Sequence, residues 1–140
     1  MRARFGWALL LLWVTAGLLL EAAHGFKWSP YLDDALRREL WTLAHAHGVG
    51  LALIAIVHAN FGPGPAWTRR AILAAALLMP VGFVLGGIAH PESDPSAGIV
   101  LVPIGALVLL AALGRTAFSA FARGGDESED RPPPPDAPDC

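Results

Sequence analysis

Four long apolar stretches leave this chain few ways to fold. Residues 5–23 carry one charge, Glu21, and residues 41–61 and 71–90 carry no Asp, Glu, Lys or Arg; residues 98–121 are apolar until Arg115. About 20 apolar residues cross the hydrocarbon core of a bilayer as a helix, so each stretch predicts one transmembrane span. Composition agrees. The chain is 54% hydrophobic and only 16% charged, with a mean hydropathy of +0.49, whereas a soluble domain has an apolar share of about 45–50% even with glycine counted. In 140 residues, four spans and short loops leave no room for a separate soluble domain. The predicted fold class is all-α: a four-helix transmembrane bundle over residues 1–123, with the lipid bilayer as its main partner. Residues 124–140 begin Gly-Gly-Asp-Glu-Ser-Glu-Asp and include Pro132 to Pro135. Such a stretch cannot bury enough apolar surface to offset its ordering entropy, and it reads as a disordered acidic, proline-rich tail.

Arginine placement orients the spans. Arg2, Arg4, Arg69, Arg70, Arg115 and Arg123 border one side, while Lys27, Arg37 and Arg38 on the other are interspersed with Asp33, Asp34 and Glu39. The positive-inside rule therefore places both termini in the cytoplasm. Trp28, Tyr31 and Trp41 would form an outer aromatic belt, with Trp67 in an inner one. Cleavage of residues 1–23 as a signal peptide is the rival reading. It is disfavoured because cleavage after Ala23 would put Glu21 where a small residue is preferred.

The connection between the first two spans predicts an outer amphipathic segment. Ser29-Pro30 is a helix start signal. Asp33 and Asp34 stand four residues before Arg37 and Arg38, so each acid can pair with a base one turn later. The segment would lie on the outer surface or extend the second span outward. Gly25, directly after His24, suits a helix C-cap.

Several classes of function find no support in the residues. No basic patch with interleaved aromatics suggests nucleic acid, and no motif supplies a nucleophile or substrate pocket for an enzyme. Cys140 is the only cysteine, which rules out an internal disulfide and a cysteine-based metal site.

The ionisable residues in or beside the spans are the candidate site, because such groups are costly in hydrocarbon. Glu21 and His24 are three residues apart and project from one helix face, with Gly17 on the same face. His45 belongs to a stripe of Gly48, Ala52, Ala55 and Ala59, where another helix can approach closely. His47 points about 200° away from it. On the third span His90 follows Met79, Phe83 and Gly86 on one face. Gly82 and Gly86 form a small-residue pair for packing, and Pro80 and Pro103 would bend their helices. If His24, Trp41 and His90 mark one boundary, Glu21 lies about 4.5 Å inward and His45 about 6 Å inward. These depths predict one shared outer-leaflet pocket. Glu21, His24, His45, His47 and His90 are its candidate cofactor-binding residues, and Glu21, His24, His45 and His90 the candidate metal ligands. A transition metal accepts such carboxylate and imidazole donors, and haem accepts two facing imidazoles. His58, at the other end of its span, reads as structural.

Two resemblances add to this. Leu-Glu-Ala-Ala-His-Gly-Phe-Lys at 20–27 and Trp-Thr-Leu-Ala-His-Ala-His-Gly at 41–48 resemble stretches of an uncharacterised family of small four-span bacterial membrane proteins. That resemblance covers most of the chain except the tail; it implies a multi-pass inner-membrane location and no particular activity. His-Ala-His-Gly at 45–48 is also similar to the haem-ligand helix of haem-copper oxidase relatives, which implies haem at His45 and His47. The match spans four residues, and the chain is far shorter than those enzymes.

Three functions follow as expectations. The first is a binding module holding haem or a transition metal through the Glu/His cluster. The second is a structural or accessory subunit whose Glu/His contacts fix helix packing, with another membrane protein or a second copy as partner. The third is a small proton-linked carrier.

Overall fold

The computed structural model describes residues 3–91 and 94–129, the side chains from 123 onward excepted. The helices are α1 (Arg4–Gly25), α2 (Ser29–Leu32), α3 (Ala35–Phe61), α4 (Ala66–Gly86) and α5 (Leu101–Glu129), with a 3-10 turn at Ala97–Val100 leading into α5. No strand occurs among the described residues. Four of these helices, α1, α3, α4 and the run Ala97–Ala122, are long and apolar enough to cross a membrane. Pro103 falls in the first turn of α5. It has no N–H to return to Ile99, and the turn before it is 3-10 in form. The helical backbone continues through residues 124–129, which the sequence assigns to the tail; residues 130–140 lie outside the described residues.

The antiparallel pair α3 and α4 is the centre. Helix α1 packs chiefly on α3 and helix α5 on α4, and α5 also meets α3 where Ala112 joins Ala55. Its core runs along α3 and α4: Leu51, Ala76 and Met79 form one buried cluster and Ala55, Ile72 and Ala112 another.

Glycines set the close approaches. A methyl group added at Gly6 would lie 2.7 Å from Ile56 Cγ1 on α3, and one at Gly105 would lie 2.6 Å from Met79 Cγ on α4. Added carbons at Gly17 and Gly48 would overlap the rings of His45 and Trp13 respectively. Small residues at such positions let helix backbones come together. The small stripe on α3 behaves as expected, with Gly48, Ala52 and Ala55 buried.

The connection after α1 departs from its sequence reading. Gly25 is still helical, and the left-handed residue is Lys27, with φ 52°. Lys27 N–H donates to His24 O at 3.2 Å and Trp28 N–H to Ala23 O at 2.9 Å. This is a Schellman ending with lysine where glycine is usual. The segment predicted as amphipathic becomes the short α2 followed by an outward extension of α3. The N-cap of α3 is Asp34, whose Oδ1 accepts from Arg37 N–H at 2.9 Å. The expected i,i+4 acid–base pairs do not form. Asp34 instead meets Arg37 at 3.4 Å, and Arg38 donates to Leu32 O at 2.6 Å. Tyr31 is no belt residue either: it is 3% exposed, stacked on Trp41 with ring centroids 6.2 Å apart.

Candidate functional site

The contacts between α1 and α3 define one antiparallel register, with Gly6 at Ile56, Trp13 at Gly48 and Gly17 at His45. In that register Glu21 is level with Trp41, and His45 is about 6 Å deeper, one helical turn. The expectation that Glu21 and His45 share a depth, and so a pocket, is thereby corrected. The physical reason is that α3 begins at Ala35 and slides outward along α1 until Trp13 and His45 find their glycines.

The five candidate residues accordingly go to four places. Glu21 and His24 do come together, in an open groove of about 520 Å³ that also involves Tyr31, Arg38, Glu39 and Thr42. The His24 and Tyr31 rings meet edge to face at 6.3 Å. His45 is elsewhere, its Nδ1 2.8 Å from Trp13 O. A carbonyl only accepts, so the proton of that bond is on Nδ1. His47 turns toward α4: its Nδ1 donates to Leu43 O at 2.9 Å and its ring lies 5.0 Å from Phe83. His45 and His47 thus serve different helix contacts, and the pairing implied by the haem-ligand resemblance is not formed within one chain.

His90 is not on a helix face with Met79, Phe83 and Gly86, because α4 ends at Gly86 and is capped at Gly87. Beyond that cap the chain turns, and His90 Nδ1 donates to Pro91 O at 2.8 Å while Nε2 lies 3.0 Å from Asp34 Oδ2. That second contact is close without the alignment of a hydrogen bond. The Arg37 N–H above all holds the Asp34 carboxyl below its usual range, with help from the charges of His90 and Arg37 and against the opposing effect of desolvation. Among the described residues, no three His, Cys, Asp or Glu side chains are placed to hold a metal ion. The expected metal set of Glu21, His24, His45 and His90 does not assemble in one chain.

Two constellations were missed in the sequence. The first closes the C-terminal end of α4. Trp41 Nε1–H donates to Val84 O at 3.2 Å, Ser96 Oγ–H to Leu85 O at 2.7 Å, and Ser96 N–H to Gly86 O at 3.0 Å. Arg37 adds Nε–H to Gly87 O at 2.8 Å and Nη2–H to Ile88 O at 3.2 Å, and it also donates to Pro30 O at 2.6 Å. A cation at a helix C-terminus is favoured by the exposed carbonyls and the helix dipole. Nothing in the spacing of Arg37 announces this, since its partners are about 50 residues away.

The second constellation joins three helices at the opposite end. Thr68 donates to Pro65 O at 2.7 Å and Thr116 to Ala112 O at 2.9 Å, so each hydroxyl oxygen is left to accept. His58 Nε2–H then donates to Thr116 at 3.0 Å, with Thr68 3.5 Å away. Thr68 is fully buried. A signal existed: His58 and Thr116 are polar residues inside apolar spans and Thr68 lies just before another, all near the arginine-bordered end.

Compared with known protein families, curated proteins and solved structures, the chain matches none.

Proposed function

We propose that the chain is a multi-pass protein of the bacterial inner membrane, both termini cytoplasmic, that serves as a non-enzymatic accessory subunit for a membrane partner. Two of its histidines hold helices together. One observation carries this reading: His45 joins α3 to α1 through Trp13 O and His58 joins α3 to α5 through Thr116, while His47 and His90 turn to carbonyls of their own segments, Leu43 O and Pro91 O. Polar residues between membrane helices commonly make such contacts.

Charge supports the orientation. Arg37 is committed to carbonyls and to Asp34, which gives its presence on the outer side a structural cause. Arg4, Arg69, Arg70 and Arg115 then carry the topological signal at the other end. The outward faces of α1 and α5 are apolar; Leu11 and Leu107 on them are well exposed. A lateral partner would use these faces. Replacing Leu107 with a photo-crosslinking residue in cells should yield an adduct of discrete protein mass. Adducts with lipid alone, from both Leu107 and Leu11, would contradict the accessory role.

A further inference from the structure

A second groove between α1 and α3 lies apart from the one holding Glu21 and His24. Its deep part is a cavity of about 320 Å³ walled by Trp13, Leu20, Trp41 and Val84. Its mouth is formed by Phe26, Lys27 and Ser29. Leu19, Ala23 and Trp28 border both parts, so the two adjoin. The space exists because Ala16, Ala23 and Ala44 present methyl groups where larger side chains would fill it.

Three features identify the occupant. No acidic residue lines either part, and Lys27 at the mouth has no salt-bridge partner among the described residues. Lys27 also holds a left-handed backbone, φ 52°, that glycine would adopt without strain. A lysine kept there against that cost is explained by its charge. Finally, α1 runs about 18 Å from Trp13 to its end at Gly25, close to the depth of one leaflet of a core about 30 Å thick. The apolar lining of the deep part suits an extended hydrocarbon chain.

We infer that this groove seats one glycerophospholipid with an anionic head group, its phosphate on Lys27 and one acyl chain laid along α1 to Trp13. The inference rests on the membrane reading above. Tryptophan quenching by lipids with brominated acyl chains tests it, because bromine quenches at contact. The full chain carrying Trp7→Phe and Trp67→Phe retains Trp13, Trp28 and Trp41. It is placed in phosphatidylcholine bilayers doped with brominated phosphatidylglycerol or brominated phosphatidylcholine.

Half-maximal quenching is expected at about fivefold lower mole fraction for the phosphatidylglycerol, the preference one lysine confers near an anionic lipid. Lys27→Gly, which relaxes the backbone and removes the charge, should abolish that preference, and Lys27→Arg should retain it. Equal quenching by the two lipids, or a preference that survives Lys27→Gly, would overturn the lipid seat and leave the membrane reading standing. Absence of quenching by both lipids would overturn it as well, by showing that protein fills the groove. If the exposed Trp7 of the unmodified chain were also unquenched, the membrane reading would fall too.

Discussion

At the seam of α1 and α3, two side chains lie where the facing residue has none. Trp13 rests on Gly48 and His45 on Gly17, so these four residues lock two helices at one height. Overfilling such a contact forces rings off their rotamers, at a cost of about 1–3 kcal/mol. Gly48→Leu should therefore lower the unfolding midpoint of the detergent-solubilised protein clearly. Gly25, with nothing within 4 Å of an added carbon and a helical backbone, is the contrast. Gly25→Ala should be neutral or stabilising by up to about 1 kcal/mol. Equal loss from both would mean that the register described here is wrong. The sequence showed Gly48 as a place of close approach and Gly17 only as a neighbour of Glu21 and His24 on one face. It could not show which side chain fills each, since periodicity gives rotation about a helix axis and not the height of one helix against another.

The end of α4 is held by elements distant in sequence. Arg37 is a planar donor serving several carbonyls at once, which lysine cannot copy. Arg37→Lys should thus cost nearly as much as Arg37→Ala, about 1–3 kcal/mol for charged hydrogen bonds lost to partly exposed carbonyls. A full rescue by lysine would reduce its role to charge alone. Asp34, the N-cap of the neighbouring helix, adds a pH dependence of definite sign. Its folded pKa lies below the unfolded value. Its contribution is therefore fully present above the unfolded pKa, about 3.9, and is lost as pH falls through the lower folded value. The unfolding midpoint should drop in that acid range, and Asp34→Asn, which can still cap, should flatten the drop. An unchanged slope would remove Asp34 from the account. The i,i+4 pairs expected from the sequence failed here because Asp34 is the cap itself, outside the helical turn that would have aligned it with Arg38.

Over the whole molecule, four helices long and apolar enough to cross a membrane correspond to the four apolar stretches. Their existence was legible because length and hydropathy are local properties. The separate placing of Glu21, His45 and His90 was not, because it depended on the offset of α3 and on where α4 ends. The proposed orientation has a direct check. A reporter that folds only in the cytoplasm, fused after residue 125, should be active, and the same reporter inserted after Ser29 should not; the reverse pattern would invert the topology. The central claim is that His45 and His58 bind helices to one another and not a cofactor. The most direct measurement is the absorption spectrum and metal content of the detergent-purified protein, expressed with haem precursor and trace metals, beside His45→Ala and His58→Ala. The account predicts a colourless, metal-free protein whose unfolding midpoint falls in each variant. A Soret band or near-stoichiometric metal that vanishes with His45→Ala and persists with His58→Ala would contradict it.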